Sequence, residues 1–244
     1  MQSAAAELNL PPGETVGLGI WIDGVPYNWD RSESLEGVAM NLPGLGGSKR
    51  SLRIPLCVVP SKCVLPGKTF DGIMEVVVWS LKQLALGVFP DRRHDDGPWL
   101  AEDKLRRRKR KQPLGIYGVL VEVRGDWKAY KDVFRLPGWN TLEGLCFLCT
   151  CTPADLRNVG SGAAWRGERR GAYGWILHQA AKGVLMNPLV GAPGMRLDVV
   201  VKIDWLHCCD LGVAQQILGN ILWACQAKVP GGTIKERYIV CLLS

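Results

Sequence analysis

Through the first sixty residues, apolar positions recur with a period of two. Val16, Leu18, Ile20 and Ile22 alternate with Gly17, Gly19, Trp21 and Asp23, and the run closes at Asp23-Gly24. That is the pattern of a half-buried strand with an acid at its C-terminal end. A polar turn containing Asp30, Arg31 and Ser32 leads into a short strand over 37–42. The Pro43-Gly44-Leu45-Gly46-Gly47 turn and a strand over 52–59 then complete a three-strand meander. Pro55 cannot donate to a ladder, so the third strand is expected at an edge. From Thr69, a capping residue type, the period lengthens: Ile73, Val76, Val77, Leu81 and Leu84 share one side of a helix over 70–86, and Gly87 stops it. The consecutive valines Val76, Val77 and Val78 are poor helix formers and leave a buried strand as the alternative.

Beyond the helix, 91–113 reads as a loop. Ile116 to Val123 is β-branched and apolar, the clearest strand in the chain, and it too closes on an acid, in Arg124-Gly125-Asp126. A short helix is expected over 127–134, then a Pro137-Gly138 turn and the cluster Cys146-Phe147-Leu148-Cys149-Thr150-Cys151. The stretch 152–198 reads as an insertion, with a helix over 173–182 and a Pro/Gly loop over 187–194. After the apolar Val199 to Val201 comes the densest set of ligand-type groups, Asp204-Trp205-Leu206-His207-Cys208-Cys209-Asp210, leading into a helix-like segment over 212–227. The expected organisation is a lead-in (1–15), a core (16–145), a Cys/Arg-rich insertion (146–202) and a C-terminal segment (203–244).

Composition narrows the picture in three respects. With 244 residues and 47% hydrophobic content the chain can bury a sizeable core. A net charge of +7 favours an anionic partner such as nucleic acid. No secretory signal is apparent, and the apolar windows 73–88 and 213–225 are too short or too interrupted to span a bilayer, so no membrane partner is expected. Nine cysteines then suggest reduced thiols or metal ligands rather than a disulfide framework. The basic run Lys104-Leu105-Arg106-Arg107-Arg108-Lys109-Arg110-Lys111 reads as a solvated loop, a phosphate contact or a nuclear import signal. Arg166, Arg169 and Arg170 lie among glycines in the insertion and are further phosphate-binding candidates.

Cys146 and Cys149 have the C-x2-C spacing that lets two thiolates share one tetrahedral zinc, with His207 and Cys208 as the expected later ligands; buried free thiols and a core histidine are the alternative. A three-strand meander, a crossover helix and a fourth strand are the opening of the ribonuclease-H-like fold, in which the first and fourth strands are neighbours. Asp23 and Asp126 would then stand at one sheet end, able to hold two divalent ions about 3.5–4 Å apart for phosphodiester chemistry.

The motifs Ile22-Asp23-Gly24, Arg124-Gly125-Asp126-Trp127, Cys146-x2-Cys149, Asp204-Trp205-Leu206-His207 and Asp210-Leu211-Gly212 together resemble eukaryotic cut-and-paste transposases of the DDE type and genes derived from them. The resemblance implies an α/β, ribonuclease-H-like mixed sheet with flanking helices and a zinc-binding insertion. It also implies catalytic Asp23 and Asp126 holding Mg or Mn, a third acid at Glu236, zinc on Cys146, Cys149 and His207, a DNA partner and a nuclear location. A homo-oligomer is compatible with it. The match weakens at Glu236, where the sequence stops before a full helix is evident, so a fragment or a degenerate copy without activity is also within the expectation. Two other readings stay open: a non-catalytic, zinc-stabilised nucleic-acid-binding protein, and a metal-dependent hydrolase of small substrates using His207 with Asp204 and Asp210.

Overall fold

The computed structural model describes residues 5–6, 8–11, 13–30, 32–45, 52–137, 146–167, 171–195, 200–204, 213–226 and 233. The chain divides into two units, Met1–Lys202 and Ile203–Ser244. The described strands form one mixed sheet, flanked by helices. Its strands are β1 (Thr15–Pro26), β2 (Ser34–Asn41), β3 (Arg53–Pro60), β4 (Tyr117–Gly125) and β5 (Val201–Ile203), in the order β3-β2-β1-β4-β5. β1 runs antiparallel to β2 and parallel to β4, and β2 runs antiparallel to β3. Pro55 sits on β3, at the sheet edge, where β2 and β3 change register beside Val38 and Ala39.

Alternation along β1 buries Leu18, Ile20 and Ile22 against the helices and turns Gly19, Trp21 and Asp23 to the other face. On that other face, Asn41 Nδ2 donates to Glu122 Oε1 at 2.6 Å, and Arg124 pairs with the same carboxylate at 3.1 Å. Gly19 makes room for this link, because a Cβ there would stand 2.0 Å from Asn41 Oδ1.

The crossover helix α1 (Thr69–Leu86) buries Met74, Val78 and Leu81, so the valine run is helical. Tertiary burial overrides the weak helical propensity of the valines. Thr69 does not cap it: its Oγ1 accepts from Leu65 N at 2.9 Å, and the N-cap is Lys68. Gly87 ends the helix at φ 66°, where a Cβ would meet the Tyr117 ring at 2.5 Å. From Gly87 the chain leaves the helix and returns toward β4 through a narrow neck. Leu114 N donates to Gly87 O at 2.8 Å, Phe89 N to Gln112 O at 2.9 Å and Lys111 N to Phe89 O at 3.0 Å, around a bridge between Val88 and Pro113. Within this excursion the basic run forms a short helix, α2 (Lys104–Lys109), where a loop was expected; Leu, Lys and Arg are good helix formers, and Arg106 folds back on Asp103 at 3.0 Å.

After β4, helix α3 (Trp127–Phe134) buries Ala129, Tyr130, Val133 and Phe134. The 146–202 stretch returns to this core: Phe147, Trp175, Ile176, Leu189, Ala192, Val200 and Val201 belong to the same buried cluster. Trp175 lies in helix α4 (Gly171–Ala181), and its Nε1 donates to Cys146 O at 3.1 Å. Asn187, almost fully buried, accepts from Leu189 N and donates to Asp71 Oδ1, both at 2.9 Å, and Arg135 reaches Asp71 at 2.5 Å. The second unit contributes helix α5 (Gln215–Gln226), which carries exposed Ile217, Leu218, Ile221 and Trp223. No described helix is long and apolar enough to cross a membrane.

Candidate functional site

Parallel pairing of Ile22 with Gly125 makes Asp23 and Asp126 successive neighbours at one end of β1 and β4. The backbone register therefore brings the two acids together, although they line different hollows. Asp23 lies within β1, three residues before its end and opposite Gly37 of β2. It shares a face with Trp21 and Val25 and lines a hollow of about 330 Å³ with Leu35 and Arg53, whose guanidinium stacks 3.9 Å from the Trp21 ring. Asp126 follows β4 and caps α3, its Oδ1 accepting from Ala129 N at 2.6 Å. It lines a smaller hollow of about 150 Å³ on the helix face, with Ile22, Gly24, Glu36 and Asp132. There Lys128 Nζ stands 3.2 Å from Glu36 and 3.4 Å from Asp132. Burial works against the ammonium charge, but the two carboxylates prevail and hold Lys128 above the usual lysine range.

Two ions about 3.5–4 Å apart need both carboxylates in one hollow. Of the hollows described, Asp23 and Asp126 line different ones, and Lys128 stands between Glu36 and Asp132 in the one beside Asp126. Glu236, the expected third acid, lies outside the described residues.

Cys146 and Cys149 sit on the turn that Phe147 anchors in the core, its ring centroid 5.0 Å from Trp127 and 5.3 Å from Tyr130. Burial pushes the Cys146 thiol above its ordinary value, against the Leu148 N–H that donates to its sulfur at 3.3 Å, and Cys149 adds to the rise. Cys151 is raised too, by burial first and then by Cys149 and Asp155. The pair has the donors for half a zinc site, and a metal there would have to displace thiol protons. His207 and Cys208 lie outside the described residues, as do the other residues of the small-substrate hydrolase reading except Asp204. Among the described residues, no group of three or more His, Cys, Asp or Glu is placed to hold a metal ion.

The basic candidates are displayed on the surface. Arg106, Arg107 and Arg108 are exposed on α2, Lys109 is half-buried with its Nζ 4.8 Å from the Phe89 ring, and Arg110 follows them. Arg166 donates to Val159 O at 2.9 Å and lies 4.8 Å from the Trp165 ring, while Arg169 and Arg170 are outside the described residues. Periodicity alone did not reveal what α2 leans on. A hollow of about 660 Å³ opens between α1 and α2, lined by Val76, Trp79, Phe89, Trp99, Leu100 and Leu105 together with Arg93, Arg106 and Lys109. The available signal was two tryptophans, Trp79 and Trp99, bracketing the approach to the basic run.

No protein-family model matches this chain, and no curated protein matches it.

Proposed function

We propose that the chain is a ribonuclease-H-like domain of the DDE transposase type that binds DNA and has lost strand cleavage. The supporting observation is the pairing of β1 with β4. Meander, crossover helix and parallel fourth strand give the order β3-β2-β1-β4-β5, and Asp23 and Asp126 fall in adjacent register, yet they line different hollows. The proposed loss of cleavage rests on that separation. DNA engagement rests on the cationic surface of α2, which meets phosphates by charge and needs no base reading. The same run would serve nuclear import. Cys146 and Cys149 would hold zinc as a structural ion, and their thiols would have to ionise to do so.

The test uses the full chain on random duplex DNA and on supercoiled plasmid. Affinity should fall steeply as salt rises from about 50 to 200 mM, and neutralising four α2 charges should flatten that slope. No Mg- or Mn-dependent nicking should appear above the level of an Asp23→Asn/Asp126→Asn variant. Nicking that Asp23→Asn abolishes would overturn the loss of cleavage. A salt-independent affinity would remove DNA binding.

A further inference from the structure

The hollow between α1 and α2 combines two features that the DNA-binding reading does not use: half-buried indole and phenyl rings, and cations held among them. Trp79 and Trp99 stand edge to face with centroids 6.1 Å apart, and Trp99 is fixed by its Nε1 donating to Pro90 O at 3.2 Å. Two of the rings already carry the protein's own cations. The Arg106 guanidinium lies 5.2 Å from the Trp99 centroid, and Lys109 Nζ lies 4.8 Å from that of Phe89. On the lining, Arg93, Arg106 and Lys109 outnumber Glu102 and Asp103, so a cationic guest would meet a net like charge, which disfavours an ammonium-binding cage. A flat, π-rich guest that carries an anion suits both halves. Its ring can stack on the indoles while its anion takes the N–H groups of Arg93 and Arg106 that Asp95 and Asp103 leave over, each guanidinium having five donors. The volume, about 660 Å³, lies within the range of about 300–1,000 Å³ usual for small-ligand pockets.

We infer that this hollow is a nucleotide-binding subsite, which takes one unpaired base with its phosphate, either from a single DNA strand or as a free nucleotide. The strand form rests on the DNA-binding reading above; the free-nucleotide form does not. A base in duplex is already stacked and cannot enter without leaving its helix, so an unpaired base is the fitting guest.

The experiment measures anisotropy of a labelled thymidine oligomer and of a duplex of equal length with the full chain, and calorimetry with thymidine monophosphate. Two variants are compared: Trp99→Ala, and Leu105→Asp, which sets a negative charge in the hollow at a position 57% exposed and so spares the core. The oligomer should bind more tightly than the duplex, and each variant should weaken it about tenfold or more, with duplex affinity unchanged in Trp99→Ala. Competition by the monophosphate only at far higher concentration assigns the site to a strand. Equal or tighter competition assigns it to a free nucleotide. If both variants keep the wild-type melting curve and bind oligomer and monophosphate as wild type does, the inference is overturned, and duplex binding that persists leaves the DNA-binding reading standing. Monophosphate uptake lost in Trp99→Ala, with no binding of either DNA, has the opposite meaning: the subsite stands and the DNA-binding reading falls.

Discussion

Asp126 separates a capping role from a metal-binding one within a single side chain. As the N-cap of α3 its Oδ1 holds Ala129 N, and asparagine caps as well as aspartate does. Asp126→Asn should therefore leave stability within a few tenths of a kcal/mol, whereas Asp126→Ala should lose about 1 kcal/mol, read by urea denaturation. Gly19 predicts a larger loss. A methyl 2.0 Å from Asn41 Oδ1 and 2.7 Å from Glu122 Cγ must break the buried link between β2 and β4, so Gly19→Ala should cost about 1–3 kcal/mol. The Cys146 thiol gives a pH signature. Its folded pKa is raised above the unfolded value, so the native state keeps the proton longer, and stability is full below about pH 8.5 and declines as pH climbs through the raised range. Under reducing conditions, Cys146→Ser should remove that alkaline decline from a series of unfolding curves. At this scale the sequence was only half legible. Alternation placed Asp23 on the face away from Ile22, but ended the strand at Gly24. The extension to Pro26 comes from pairing with Ser34 of β2, which the pattern of one strand does not contain.

Among the elements, α1 was the most legible and α2 the least. The valines that argued against a helix sort by face: Val78 is buried, whereas Val76 is exposed and lines the aromatic hollow. Met74, with no exposed surface, is the best probe of that face. Met74→Ala should cost about 2–5 kcal/mol through the cavity it leaves, while Val76→Ala should stay within about 0.5 kcal/mol, both read as shifts in denaturation midpoint at constant slope. The helical turns of α2 were hidden by composition, because a run of cations shows no apolar period. What holds them is Asp103, through Arg106 and through its carbonyl to Arg107 N at 2.9 Å.

Over the whole molecule, the mixed sheet flanked by helices follows from the order of alternating and helical segments. The return of 146–202 to the core did not show in the sequence. Phe147, Trp175 and Leu189 stand in short apolar clusters separated by glycines, prolines and arginines, and no window of periodicity joins them. Their burial makes a prediction at this scale. Trp175→Ala should destabilise the unit containing the sheet by about 3–5 kcal/mol. It should do so in one cooperative transition shared by fluorescence and circular dichroism. An early, separate loss of the 146–202 segment, with the sheet still folded, would show that stretch to be an appended module.

The neck between Gly87 and Leu114 has a consequence of another kind. Its hydrogen bonds close the excursion at its base, so the sheet meets the two ends of the loop, while His94 and Trp99 rest on Trp79 of α1. For a loop closed in this way, doubling the length costs only about 0.6 kcal/mol. The loop can therefore lengthen outside its contacts with α1 at little expense to folding. Inherited insertions can accumulate there without disturbing the strand pairing.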